Sequence, residues 1–454
     1  MIPGNPAREH AVFVPVLISL LGGVVAVCGQ HAETKPPALG MQTADEEVSL
    51  SSVEQGRTAL DEAFNWQAWR LEKRRKALED TKFTFNLRTM YMDRDKFDGS
   101  ENEAWAAGGW AGMKTGYFLD HIALGLTGYT SQPLYAPDDK DGTSLLAPGQ
   151  EGYSVLGELY TDIRITDDLH LLAGRREFDT PYINRNDTRM TPNTFEAVVL
   201  QGRAELGDEG GVFKYGAGYF DAIKERNSDE FISMSVDAGA TAERGVFAAG
   251  GLYQKGDFSL GVIDYHCADV INIGYVEAKM ECPLADDLRL RLAAQFTDQR
   301  SVGDELLTGG DFSARQLGLK AEVPVGRALY SVAYTTAGGD SNMQNPWSGY
   351  PGYTAVQVQD FNRNGESAVM LRAAYDFAAV KGLGAYALAV FGSEPDAAGE
   401  YRQDEYDLNL QWAATGGCLK GLSLRLRYAF VRQHGGNSDD LTDFRVMCNY
   451  LVVF

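Results

Sequence analysis

Leu422-Ser423-Leu424-Arg425-Leu426-Arg427-Tyr428-Ala429-Phe430 alternates without a break between large apolar side chains and polar or small ones. A period of two belongs to an extended strand, whose successive side chains point to opposite faces. One face here carries Leu422, Leu424, Leu426, Tyr428 and Phe430, the other Ser423, Arg425 and Arg427. A half-buried strand of a soluble sheet alternates in the same way, so a single segment decides nothing. Repetition does. The same pattern runs through Phe83-Thr84-Phe85-Asn86-Leu87-Arg88, Leu288-Arg289-Leu290-Arg291-Leu292 and Leu317-Gly318-Leu319-Lys320-Ala321. Many strand-length segments with one apolar and one polar face are the sequence signature of a transmembrane barrel.

Composition agrees. The 454 residues include 50 Gly, 22 Tyr and 21 Phe but only 15 Pro and 5 Cys, the usage of many short strands joined by turns. After the N-terminal segment no apolar run approaches the ~20 residues a spanning helix needs. A chain that crosses a bilayer without such helices must satisfy its backbone as a closed barrel. The formal net charge of −22 makes nucleic acid a poor partner. Cys267, Cys282, Cys418 and Cys448 form no CxxC and have only His266 near them, so thiol packing or one disulfide is expected and no metal or cofactor site.

Connection lengths give a second argument. Counted from Lys82, even-numbered strands end in tight turns: Phe118-Leu119-Asp120, Thr166-Asp167-Asp168, Gly207-Asp208-Glu209-Gly210, Lys255-Gly256-Asp257 and Pro324-Val325-Gly326. Connections after odd-numbered strands are mostly long: 132–151, 179–193, 223–243, 298–311 and 338–364. Short periplasmic turns opposite long extracellular loops are how outer-membrane barrels are built, whereas a sandwich or propeller has no such odd–even rule. The tally is roughly nineteen strands, and closure with both ends on one side requires an even number. Glu230–Asp237 falls within a long outer loop, so it is set aside and about eighteen strands remain.

Arg8 and His10 precede an apolar run from Ala11 to Val27, and small residues at Cys28-Gly29 suit cleavage after Gly29. Residues 1–29 therefore read as a signal peptide; Cys28 could alternatively carry a lipid, although Val27 is large for that. Residues 30–81 form a periplasmic extension, partly helical, with a Ser51-x-x-Glu54 capping box and helical spacing of Leu60, Phe64, Ala68 and Leu71. The cluster Arg70, Lys73, Arg74, Arg75, Lys76 is a solvated helix face or a contact for anionic headgroups or a periplasmic partner. The barrel occupies 82–454.

Three stretches resemble the OprD family of outer-membrane porins. The first is Trp105 to Asp120 with Gly109 and Thr115-Gly116-Tyr117-Phe118. The second runs from Gly174-Arg175-Arg176 through Thr180-Pro181, Asn186-Asp187-Thr188-Arg189-Met190 and Pro192 to Thr194-Phe195. The third is Tyr350-Pro351-Gly352-Tyr353-Thr354, Asp360-Phe361-Asn362, Gly365-Glu366 and Tyr375-Asp376-Phe377. Gly421 to Tyr428 and the terminal Phe454 complete the resemblance, which spans nearly everything from Lys82. It implies a monomeric eighteen-stranded passive channel in the bacterial outer membrane for small, often carboxylate-bearing nutrients. It also implies a third loop folded inward, and an aromatic last residue read by the barrel-assembly machinery. The segment before Lys82 and the strong acidity depart from the family pattern.

With the apolar face of each strand against outer-membrane lipid, parity turns the basic residues inward, because a charge at mid-depth on the lipid face costs about 2–4 kcal/mol. Arg88, Arg203, Arg289, Arg291, Lys320, Arg372, Arg425, Arg427 and Arg445 then form a basic ladder whose guanidinium forks can replace the hydration of a carboxylate. The other reading is structural: these groups pair with lumen acids such as Asp162, Glu205 and Asp376. Arg175 and Arg176 are expected where the ladder meets the third loop. That loop, 179–193, stiffened by Pro181 and Pro192, is expected to form the constriction, with Arg185, Asp187 and Arg189 as an eyelet of mixed charge. An oligosaccharide channel would instead need lumen aromatics, for which Trp105, Trp110 and Trp347 are candidates. A barrel enzyme would need a Ser–His–acid set, and the six His are scattered with no GxSxG.

Overall fold

The computed structural model describes residues 70–454 apart from 208–209, 286–287, 397–398 and 436–439. The signal-peptide reading, Cys28 and most of the extension lie outside the described residues. Eighteen strands form the wall: β1 (Lys82–Asp95), β2 (Glu101–Lys114), β3 (Ile122–Tyr135), β4 (Tyr153–Thr166), β5 (Leu169–Arg176), β6 (Thr194–Glu205), β7 (Val212–Lys224), β8 (Val246–Lys255), β9 (Phe258–Cys267), β10 (Ile271–Ala285), β11 (Leu288–Arg300), β12 (Ser313–Val325), β13 (Ala328–Gly339), β14 (Ser367–Asp376), β15 (Leu383–Gly392), β16 (Arg402–Ala413), β17 (Leu422–His434) and β18 (Leu441–Val453). Each pairs antiparallel with its sequence neighbours, and β1 pairs with β18 from Thr84↔Val453 to Asp95↔Thr442, so the sheet closes with no free edge.

The segment set aside in the sequence lies outside this wall. β7 pairs directly with β8, while Ile232–Ser233 adds a two-residue bridge to the end of β7 and Met234–Asp237 forms one helical turn. Alternation places Phe85, Leu87, Leu317, Leu319, Leu426 and Tyr428 on the exposed outer surface. Asn86, Arg88, Gln295, Gln316 and Arg445 lie buried on the inner side. Leu422 departs from the exposure expected of it and is buried. It pairs with Tyr450, whose hydroxyl reaches the Cys418 carbonyl at 3.5 Å, so the preceding turn folds over the outer face there.

The two ends of the barrel differ as the connection lengths required. Two residues join β4 to β5, β8 to β9 and β12 to β13, with Gly256 and Gly326 supplying the left-handed backbone that such turns need. At the other end the longer loops fold inward. The largest buried cluster joins Tyr182 and Ile183 of the loop after β5 to Phe195, Phe220 and Tyr265 of the wall and Trp347 of the loop after β13. Cys267, Cys282 and Cys448 are free thiols.

Candidate channel lining and constriction

The third extracellular loop (177–193) and the seventh (340–366) hold each other across the lumen. The Asn184 backbone N–H donates to Ser348 Oγ at 2.8 Å, and Asn184 Nδ2 donates to the Gly349 carbonyl at 2.9 Å. The Tyr182 N–H donates to the Tyr265 hydroxyl at 3.2 Å, tying the third loop to β9. Opposite, the seventh loop is clamped by two carboxylates of β16. Glu405 accepts the N–H groups of Val358 at 2.8 Å and Gln359 at 2.7 Å, and Asp407 accepts that of Gln357 at 3.2 Å. Irregular backbone folded into a barrel is tolerated where protein groups or cavity water satisfy it, and these two carboxylates do so for the buried part of the loop.

The residues expected to form the eyelet divide. Arg185 is exposed and pairs with Asp179 at 3.2 Å and Glu177 at 3.8 Å. Asp187 accepts from both terminal nitrogens of Arg88, which also donates through Nε to Asn449 Oδ1 at 2.5 Å. Arg189 does not face open water. It is buried, donates through Nε to the Thr143 carbonyl at 2.8 Å, and burial holds its guanidinium well below its ordinary pKa. Its own carbonyl accepts from Arg88 Nη1 at 2.6 Å. Arg88 is thus an anchor for the third loop rather than a free rung. Burial, with Glu158 adding to it, pushes Glu177 up to about 7, and burial raises Asp360 in the seventh loop to about 6.

Arg175 and Arg176 do not sit together. Leu172 pairs with the buried Val199, which puts even positions of β5 inward, so Arg176 enters the lumen over the Tyr160 ring at 4.9 Å. Arg175 turns outward, paired with Glu196 at 3.1 Å and lying 4.2 Å from the Phe231 ring centroid. Consecutive strand residues cannot share a face, and that alone separates them.

The remaining basic residues all have inward parity, but they fall into two arcs. On one, Arg203 pairs with Glu205 at 2.6 Å, Arg289 and Arg291 share Glu281 at 3.3 and 3.4 Å, and Lys320 meets Glu322 at 3.5 Å. On the other, Arg425 donates to Asn409 Oδ1 at 2.7 Å, and Arg372 lies over the Tyr386 ring at 4.4 Å. The Nε groups of Arg372 and Arg427 are buried without a hydrogen-bond partner among the described residues. Arg427 stands directly opposite Arg445 on the neighbouring strand, a like-charge pair that destabilises a sheet unless something offsets it. Asp443 does so for Arg445 alone, taking two bonds at 2.6 and 3.0 Å.

Parity on β4 and β5 brings Asp162 into a lumen cluster with residues beyond the expected ladder and eyelet. Asp162 accepts from the Tyr117 hydroxyl at 2.8 Å and meets His170 Nδ1 at 2.9 Å and Lys114 at 3.4 Å, while Arg164 lies 3.7 Å from the Tyr117 ring centroid. The acids of β16 were equally legible, because Glu405, Asp407 and Asn409 alternate there with Tyr406, Leu408 and Leu410.

The profile of the outer membrane porins of the OprD family matches residues 76–454. The chain belongs to the OprD family. Among solved structures, this OprD-family chain is similar to Pseudomonas aeruginosa OccK9 (OpdG), at 25% identity and a TM-score of 0.76, over 83% of this chain and all of that one. The BenF-like porin of Pseudomonas fluorescens Pf-5 is 20% identical with a TM-score of 0.75, and Pseudomonas aeruginosa OpdK with vanillate is 23% identical with a TM-score of 0.73. Each of these two also matches over 83% of this chain and 100% of its own. No curated protein matches significantly. The protein is an outer-membrane porin with the closed eighteen-stranded barrel of its relatives, which are channels.

Opposite the unpaired arc, this OprD-family barrel has an apolar bay. A cavity of about 680 Å³ runs from the Asp167–Asp168 turn to Thr180–Pro181, walled by Val199, Phe220, Ile263 and inward glycines such as Gly218 and Gly250. Of the three tryptophans considered for sugar stacking, only Trp110 is inward, beneath the Arg88 guanidinium at 4.8 Å. Trp105 pairs with Tyr91 on the outer face, and Trp347 is buried with its Nε1 donating to the Met234 carbonyl at 2.8 Å.

Proposed function

We propose that this porin passes small carboxylate-bearing solutes by passive diffusion, guided by the unpaired arginines of one arc past the constriction made by the third and seventh loops. The observation that carries the reading is that Arg372, Arg425 and Arg427 face the lumen with no carboxylate oxygen within ion-pair distance among the described residues. A guanidinium fork that is already desolvated and unpaired binds a carboxylate in place of water, at little reorganisation cost. The apolar bay supports a solute with a hydrocarbon or aromatic body, its acid on the arginines and its body against Phe220 and Ile263. One relative was solved with vanillate, an aromatic acid. The same reading takes the barrel as a monomer and the exposed terminal Phe454 as the signal for the assembly machinery.

The test is single-channel conductance in planar bilayers under a salt gradient, followed by titration with benzoate and with benzamide. Anion preference and block by benzoate alone are the expected results. Cation preference, or equal block by the neutral amide, would overturn the carboxylate reading and leave a general porin.

A further inference from the structure

The described part of the extension is a helix, residues 70–79, that meets the barrel through one narrow stripe. Lys73 pairs with Asp120 at 2.6 Å, and the carbonyl of the buried Ala77 accepts the Gly116 N–H at 2.9 Å. Gly116 is required at this contact, because a Cβ there would stand 2.7 Å from Asp80 Cβ and 3.0 Å from the Ala77 carbonyl oxygen. Gly116 and Asp120 belong to the turn between β2 and β3, and β1 begins two residues after Asp80. The helix therefore follows the periplasmic rim from the β2–β3 turn to the first strand.

The rest of its surface is solvent-exposed and has two characters. Leu71 and Leu78, seven residues apart and so on one face, are 63% and 62% exposed. Between them Arg74, Arg75 and Lys76 are exposed, in a chain whose net charge is −22. The nearby outer wall carries exposed Phe83, Phe85, Ile122 and Phe454, which mark where hydrocarbon begins. A short helix with basic residues and bare leucines, fixed beside that boundary, lies at the depth of lipid headgroups.

We propose that helix 70–79 is an interfacial anchor that binds anionic phospholipid headgroups of the periplasmic leaflet, with Leu71 and Leu78 entering the acyl boundary. Charge selects this occupant: Arg75 pairs with Glu79 at 3.5 Å, but residues 70–79 still hold five basic side chains against two acids, Glu72 and Glu79, an excess of three positive charges that attracts a negative surface, and the rim contact holds it next to one. The proposal rests on membrane insertion of the barrel and not on which solute it passes.

The experiment is amide hydrogen exchange on the full chain in nanodiscs of phosphatidylcholine, with and without phosphatidylglycerol. Amides 71–79 are expected to exchange about tenfold more slowly when phosphatidylglycerol is present. The triple variant Arg74→Glu, Arg75→Glu, Lys76→Glu removes the difference, and so does high salt. Strand protection serves as the folding control, since these side chains are exposed. Equal exchange in both lipids overturns the proposal. A change in conductance on charge reversal, without any lipid dependence, also overturns it and places the helix across the pore.

Discussion

The two arcs of inward basic residues are built from the same strand parity and end in opposite electrostatic states. On β6 and β10–β12 every arginine or lysine of the expected ladder has an acid within ion-pair reach; on β14 and β17 three arginines have none among the described residues. The difference lies in what alternates with them. Glu281 and Glu322 occupy inward positions beside Arg291 and Lys320, whereas β16 spends its inward acids Glu405 and Asp407 on the backbone of the seventh loop. A ladder rung is thus defined as much by the neighbour that declines to neutralise it as by its own charge.

The largest effect is expected where a rung doubles as structure. Arg445→Ala leaves Asp443 buried with Arg94 and Gln357 as remaining donors, and should lower barrel stability by about 3–5 kcal/mol, read by urea unfolding. A smaller loss would mean that Arg94 and Gln357 suffice to hold Asp443. Next, Glu405→Ala strips the acceptor from Val358 and Gln359 and should cost about 1–3 kcal/mol per stranded N–H. Noisier, larger conductance from a freed seventh loop should accompany it, and quiet wild-type currents would deny the clamp.

Within the open arc, the pair Arg425→Gln and Arg427→Gln should reduce the anion-to-cation permeability ratio about tenfold, as loss of charge-assisted bonds predicts. Arg289→Gln with Arg291→Gln should change it far less, within roughly 0.5 kcal/mol, because solvent-screened pairs carry little net charge to the solute. Equal effects from both pairs would erase the distinction between arcs. The smallest effect is set by pH. Glu177 has its pKa raised to about 7 by burial, so its contribution to loop stability is complete below the ordinary carboxylate range and is lost as pH rises through about 7. Ionisation there adds a negative charge at the constriction, and anion preference should fall between about pH 5 and 8; Glu177→Gln removes the part of the slope near pH 7 and leaves that of Asp360 near 6.

Most of the barrel was legible because both of its rules are local. Period two follows from side-chain geometry, and the alternation of short and long connections follows from having water on two sides of a membrane. The site was legible only in part. Parity assigns a face to a strand residue, yet pairing depends on neighbours across strands and on loops whose path no periodicity encodes. Arg189 illustrates this: its place in the third loop was readable, but its burial against the Thr143 carbonyl is a contact between two loops. Arg175 has a simpler lesson: neighbours on a strand face opposite ways, so it cannot share the lumen with Arg176.

Closure of the barrel between β1 and β18 has a bearing on the order of events in assembly. Arg88 grips Asn449 on the last strand and Asp187 on the third loop at once, so one side chain staples the seam and the constriction together. Partners separated by 361 residues meet only when the first and last strands have come together. The narrow passage is therefore completed at the moment the wall is sealed, and a sheet inserted but not yet zipped lacks the staple that completes its sieve.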